Sequence, residues 1–168
     1  MPVLASAAKA LDRASRIACD AAGWLLAAMA VLINVEIVLR YVFNSSTLIA
    51  DEYSGYLFVW STLLGFGYAL QNGHFLKVET LVSRLSPRGQ HASAALAALA
   101  GLIVSAVCTY ATGALFYGSW RFATASIQPS ATPLWLPQIV LPVAFAVLCV
   151  IYVHQAVDAI QQWRKPRH

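Results

Sequence analysis

Apolar residues in this chain fall into four long runs separated by short polar stretches. The first runs from about Ala18 to Leu39 and carries no charge between Ala21 and Val35. The second covers about Tyr53 to Leu70. The third lies within Ala92–Trp120, 29 residues without Asp, Glu, Lys or Arg. The fourth covers about Trp135 to Val157. A helix needs roughly 20 mostly apolar residues to cross the hydrocarbon core of a membrane, so each run predicts one span. The third is long enough to tilt or to continue out of the membrane. In the fourth, Pro137 falls in the first turn, where a missing N–H costs little, and Pro142 lies further in and predicts a kink. Between the second and third runs, Val78, Leu81, Val82 and Leu85 recur at spacings of 3, 1 and 3. Such spacing marks one face of a helix, so a short amphipathic helix is expected there, ending at Ser86-Pro87.

Composition supports a membrane setting. Of the 168 residues, 60% are hydrophobic and 11% charged, against about 25% charged in soluble globular chains. Mean hydropathy is +0.66. A soluble enzyme, a disordered chain and a nucleic-acid binder are excluded. The net charge of +4 comes from basic residues beside apolar runs, where they read as topology signals. Four spans put both termini on one side. That side holds Lys9, Arg13, Arg16, Lys77, Arg84, Arg88, Arg164, Lys165 and Arg167, nine of the eleven basic residues, and leaves Arg40 and Arg121 opposite. By the positive-inside rule the termini are cytoplasmic and the first and third loops periplasmic. The first run is read as an uncleaved helix: Ala28-Met29-Ala30 resembles a cleavage site, but apolar sequence continues past it to Leu39. The expected fold is all-α: one membrane domain over residues 1–168, with four transmembrane helices and short amphipathic segments in its loops.

The chemistry-bearing residues are few. Cys19, Cys108 and Cys149 are odd in number and form no C-x-x-C, which argues against a disulfide framework, zinc or a redox relay. His74, His91 and His154 lack a second ligand at metal spacing. No nucleophile–base pair or phosphate loop occurs, so no catalysis, metal or cofactor is expected. Glu36 and Arg40 stand at i and i+4 in the favourable order for a helical ion pair. Glu36 has two readings: a proton or cation carrier within a span, or a partner of Arg40 near the helix end, which we favour. Asp51-Glu52 opens the second run, where carboxylates complement a helix N-terminus. Ser93, Ala97, Gly101, Ser105, Thr109 and Gly113 form a small-residue stripe at intervals of four, suited to close helix packing within the chain or against a partner.

Four segments resemble one family. They are Val38-Leu39-Arg40-Tyr41-Val42-Phe43-Asn44-Ser45; Ala50-Asp51-Glu52-Tyr53-Ser54-Gly55-Tyr56; Gly73-His74-Phe75-Leu76-Lys77-Val78-Glu79; and Trp135-Leu136-Pro137-Gln138 with Leu141-Pro142. In order and spacing they are similar to the small permease subunit of tripartite ATP-independent periplasmic (TRAP) transporters, the DctQ-like family, over about residues 15–160. The family commonly has a basic residue where Gly55 stands and Asp where Glu79 stands. The first departure removes a charged contact and the second keeps the charge. The resemblance implies a bacterial inner-membrane subunit without chemistry of its own. It would scaffold a large permease subunit and help dock a periplasmic solute-binding protein, in ion-driven uptake of organic acids such as dicarboxylates or sugar acids. Its expected partners are those two proteins and membrane lipid, not nucleic acid. It makes Arg40, Asp51 and Glu52 interface candidates on the outer side, His74, Lys77, Glu79 and Arg84 on the inner side, and Trp135 and Gln138 at the start of the fourth span. The competing reading is a self-contained four-helix proton-coupled exporter with Glu36 as carrier.

Overall fold

The computed structural model describes residues 2–71 and 86–164. Its elements are helices α1 (Pro2–Phe43), α2 (Ala50–Gln71), α3 (Pro87–Arg121), the single turn α4 (Trp135–Gln138) and α5 (Val140–Arg164). Among the described residues three stretches are long and apolar enough to cross a membrane: Arg13–Phe43, Ala92–Arg121 and Trp135–Ile160. Helix α2 has 22 residues, about 33 Å at 1.5 Å per residue. Its length suffices for a span, but its tyrosines, serines, threonine and glycines make it less apolar than the other three. The expected amphipathic helix from Lys77 to Leu85 lies outside the described residues.

The helices pack side by side in the order α1, α2, α5, α3, with α4 against α3 and α5. Two antiparallel hairpins, α1–α2 and α3–α5, meet along a shorter seam between α2 and α5. The core is slight. Among the described residues its buried apolar side chains are Ala22, Ala50, Ala98, Ala144, Leu148, Ile151 and Ala159, and Ile151 is the large one that is fully enclosed. Trp24, Val31, Tyr41, Val104, Tyr110 and Val150 are instead exposed on the outside of the helices. A water-soluble domain of this size would bury such residues. In a membrane protein lipid or a partner covers them, and contact between helices falls to small residues.

Helix ends follow local chemistry. Ser86 caps α3, its side-chain oxygen accepting from Gly89 N at 3.3 Å, with Pro87 at the first helical position. At the other end of α3, Thr124 N donates to Ser119 O (3.1 Å) and Ala123 N to Trp120 O (3.4 Å). These are the two bonds of a Schellman motif. Ala123 takes its left-handed position at φ 47°, where glycine is the usual residue. Helix α1 likewise ends at Asn44, φ 47°, a side chain that tolerates this region.

The fourth apolar run differs from the expected kinked helix. The interruption falls at Ile139, between α4 and α5, and Pro142 sits in the first turn of α5. Pro142 is thus accommodated as Pro137 is, where an absent N–H breaks little. The first helix extends beyond the expected span of 18–39, over Pro2–Phe43, roughly 63 Å at 1.5 Å per residue, and its stretch apolar enough to cross a membrane is Arg13–Phe43.

Candidate functional site

Among the described residues, side-chain hydrogen bonds linking different segments cluster at one end of the helices, where the α1–α2 loop (44–49) and the α3–α4 loop (122–134) lie. Each loop is tied down by one glutamate. Glu36, in α1, is buried at 5% exposure. Its Oε1 accepts from Arg40 Nε (2.6 Å) and Ser46 Oγ (2.5 Å), and its Oε2 accepts from Thr47 N (3.1 Å) and Thr47 Oγ1 (2.5 Å). Four donors surround one carboxylate. A buried charge is costly unless its lone pairs are filled, and here both oxygens are served by the pair at i+4 and by the loop that follows. Arg40 also reaches across to Asp51 Oδ2 at 3.4 Å, linking the end of α1 to the start of α2.

Glu52, in the first turn of α2, does the same for the other loop. It accepts from Tyr56 OH at 2.5 Å and from the hydroxyl of Ser130. Ser130, then Tyr56 and Ser126, hold the Glu52 carboxyl below the ordinary carboxylate value, against a smaller opposing effect of burial. Tyr53 OH meets Thr132 Oγ1 at 3.2 Å alongside. The loop itself is a small hairpin. Ser126 N donates to Thr132 O (2.8 Å) and Leu134 N to Thr124 O (3.0 Å), around a turn closed by Ala131 N to Gln128 O (2.9 Å). Pro129 fits that turn through its fixed φ. At the tip Ile127 stands wholly exposed, at 102%.

Deeper in the α2–α5 seam, Trp60 Nε1 donates to Pro137 O at 2.9 Å, filling a carbonyl where the helix is interrupted. Near the opposite end, Gln155 Nε2 donates to Leu70 O at 3.2 Å, and Ile151 packs where a Cβ on Gly67 would touch its Cδ1. The hairpins are therefore joined by hydrogen bonds at the loop end, at the helix break and at the far end.

The sequence candidates divide as follows. Arg40, Asp51 and Glu52 come together around the start of α2, and Glu36 pairs with Arg40. Trp135 and Gln138 bound α4, and Gln138 Oε1 is buried without a hydrogen-bond partner in the structure. His74, Lys77, Glu79 and Arg84 lie outside the described residues. The small-residue stripe is split by the winding of the helix. Gly101 and Thr109 face α5: a Cβ on Gly101 would overlap the Tyr152 ring, and Thr109 Oγ1 lies 3.7 Å from Cys149 Sγ. Ser105 is buried, whereas Ala97 is exposed and a Cβ on Gly113 would meet nothing. Ser46, Thr47, Ser126, Ser130 and Trp60 were not anticipated. The short hydroxyl residues in both loops were the available signal, but their glutamate partners lie 10 to 78 residues away. Among the described residues no three His, Cys, Asp or Glu side chains are grouped to hold a metal ion.

Residues 29–162 match the model of the DctQ component of tripartite ATP-independent periplasmic transporters. A TRAP transporter small permease protein of Haemophilus influenzae is 32% identical over 136 residues, covering 81% of this chain and 78% of that protein. The C4-dicarboxylate TRAP transporter small permease protein DctQ of Vibrio cholerae is 27% identical over 99 residues, covering 59% of this chain and 40% of that protein. With long apolar helices and this match over most of its length, the chain is a transporter component of the membrane and belongs to the DctQ family of TRAP small permease subunits.

Proposed function

We propose that this chain is the non-catalytic scaffold of a TRAP-type secondary transporter. As one membrane domain of four spans, α2 included, with both termini cytoplasmic, it holds the large permease subunit in the inner membrane and helps dock the periplasmic solute-binding protein. The complex takes up organic acids of the dicarboxylate or sugar-acid class along an ion gradient. The name of the Vibrio cholerae relative supports that class. Selectivity resides in the other two subunits.

The observation that carries this reading is the pair of glutamate clasps. Glu36 and Glu52 fix the two loops on one face into a single ordered platform, on the side that the distribution of Lys and Arg makes periplasmic. Ordered loops cost less entropy to engage than free ones. The same geometry disfavours Glu36 as a proton carrier. A carrier must open its carboxylate to a path across the membrane, and both Glu36 oxygens are committed to Arg40 and the loop that follows.

Isolation of the tagged chain from its native membrane in mild detergent tests the proposal. One large, many-span protein is expected in roughly equal amount. Asp51→Lys with Glu52→Lys should lower its recovery or abolish uptake in cells. Recovery of the chain alone, with transport in liposomes that Glu36→Gln abolishes, would establish the exporter instead. A cysteine at Ile127 should react with an impermeant maleimide from the periplasm of intact cells.

A further inference from the structure

Where α1 and α2 approach the loop end, the seam between them opens into a cleft of about 340 Å³ whose lining includes Ile33, Ile37, Arg40, Tyr41, Asp51 and Ser54. Its wall is graded along the helix axis. Ile37 and Ile33 lie about one and two turns deeper into the apolar stretch of α1 than Arg40. Arg40 and Asp51 stand at the mouth, and below them the branched aliphatics share the wall with Glu36, whose carboxylate is already filled by Arg40 and the loop. A phospholipid has the same profile, a charged headgroup above apolar chains. Tyr41, 84% exposed beside the mouth, suits the interfacial level where aromatic rings with a polar tip collect.

The charges at the mouth select among headgroups. Glu36 is committed to Arg40 and the loop, which leaves Arg40 and Asp51 as the accessible pair. The Arg40 side chain is half exposed and the Asp51 carboxylate 85% exposed, and their mutual contact is long, at 3.4 Å. A cation and an anion so placed complement a zwitterion: phosphate on the guanidinium and ammonium on the carboxylate. A primary ammonium brings N–H donors to Asp51, whereas a quaternary ammonium brings none. A purely anionic headgroup would meet the Asp51 charge.

We propose that this cleft binds one phospholipid with a primary-amine headgroup, of the phosphatidylethanolamine class, its phosphate on Arg40, its ammonium on Asp51 and an acyl chain along Ile37 and Ile33. The proposal needs only that α1 spans the membrane and stands apart from the scaffold reading.

Delipidated full-length chain is incubated with equal amounts of phosphatidylethanolamine, phosphatidylcholine and phosphatidylglycerol of the same acyl composition, and retained lipid is counted by native mass spectrometry. Phosphatidylethanolamine should be retained about threefold over phosphatidylcholine, the scale of a half-exposed ion pair, with phosphatidylglycerol below it. Asp51→Asn should erase that preference by lowering retention of phosphatidylethanolamine to the level of phosphatidylcholine. Ile37→Trp, which fills the cleft, should lower retention of all three. Equal retention of the two zwitterionic lipids by the unmodified chain, or preference for phosphatidylglycerol, overturns the headgroup assignment. Undiminished retention by a helical, monodisperse Ile37→Trp overturns the cleft. Asp51→Asn changes an exposed side chain, so its folding is not at issue.

Discussion

Gly101→Ala is the sharpest single probe of how the helices are held together. In a soluble helix interior this change stabilises, because alanine loses less backbone freedom on folding. Here the added methyl lands on the Tyr152 ring, overlapping Cε1, Cζ and Cδ1. The ring can swing aside only by leaving its rotamer, at about 0.5–1.5 kcal/mol, or α3 and α5 must separate, losing contacts along the seam. Overpacking of this kind costs about 1–3 kcal/mol, and the propensity gain of about 0.5–1 kcal/mol offsets part of it. The difference is about 0–2.5 kcal/mol, centred a little above 1 kcal/mol, so a fall of roughly 2–5 °C in midpoint is expected for a chain of this size. The assay is thermal unfolding in mild detergent, read by helicity and by the monodisperse fraction on gel filtration. Two glycines on the same helix are internal controls: a Cβ on Gly113 or Gly118 meets nothing within 4 Å, so Gly113→Ala and Gly118→Ala should be neutral or stabilising. Tyr152→Leu, which removes the clashing ring atoms, should recover most of the loss in combination with Gly101→Ala. Gly101→Ala behaving like Gly113→Ala would refute close approach of α3 and α5 at this point.

Three further outcomes follow from the same structure. Ala123→Gly relieves a left-handed alanine in the Schellman motif ending α3; the steric relief of about 1–2 kcal/mol, less the extra unfolded-chain entropy of about 0.4–1 kcal/mol, should raise the unfolding midpoint slightly. Trp60→Phe removes the donor to Pro137 O and should cost about 0.6 kcal/mol, the average for hydrogen bonds between helices in lipid, and at most about 1.7 kcal/mol, measured by the same assay. The Glu52 carboxyl is held low by Ser130, Tyr56 and Ser126, so its clasp is fully formed above the ordinary value of 4.5 and lost as pH falls below it. The protection of amides 122–134, taken as the exchange rate relative to the intrinsic rate at each pH, should therefore be high at neutral pH and fall on acidification, while Glu52→Gln shows low protection throughout with little pH response.

The helices were legible because apolar runs in a membrane chain mark where helices lie, although their ends were not: α1 runs over Pro2–Phe43 against an expected 18–39, and three of the four runs are apolar enough to count as spans among the described residues. Glu36 with Arg40 was also legible, since partners four apart on a helix meet whatever the tertiary fold. What the sequence hid was long-range and specific. Nothing in Ser130 or Ser126 marks them as partners of Glu52, 78 and 74 residues earlier, and Trp60 gives no sign that its indole fills a carbonyl beside a proline. The interruption at Ile139 was displaced from Pro142 because a proline is accommodated more readily by starting a new helix just before it than by bending one through it. The small-residue stripe predicted close packing, but its winding around a 3.6-residue helix leaves Ala97 and Gly113 off the face that Gly101 and Thr109 present to α5.

The polar residues at the loop end follow from the same solvent argument. Between helices surrounded by lipid, apolar contact gains nothing over lipid contact, so a single enclosed isoleucine is no sign of a poorly formed core. Cohesion has to come from close approach and hydrogen bonding. Close approach serves α3 against α5, at Gly101 and Thr109. Hydrogen bonds tie α2 to α4 at Trp60 and to α5 at Gln155, and charge serves the loops, at Glu36 and Glu52. The strongest polar anchors thus stand where the helices meet water and where the chain has no helical ladder to order it. Asp51 is the exception. Its carboxylate is exposed and only loosely engaged by Arg40, which makes it the acid in this region with capacity left for something outside the chain. Substitutions at Glu36 and Glu52 should therefore disturb loop order first and assembly second, whereas Asp51→Asn should leave loop exchange unchanged and alter only what binds. The order in which these readouts change separates the residues that build the face from the one that uses it.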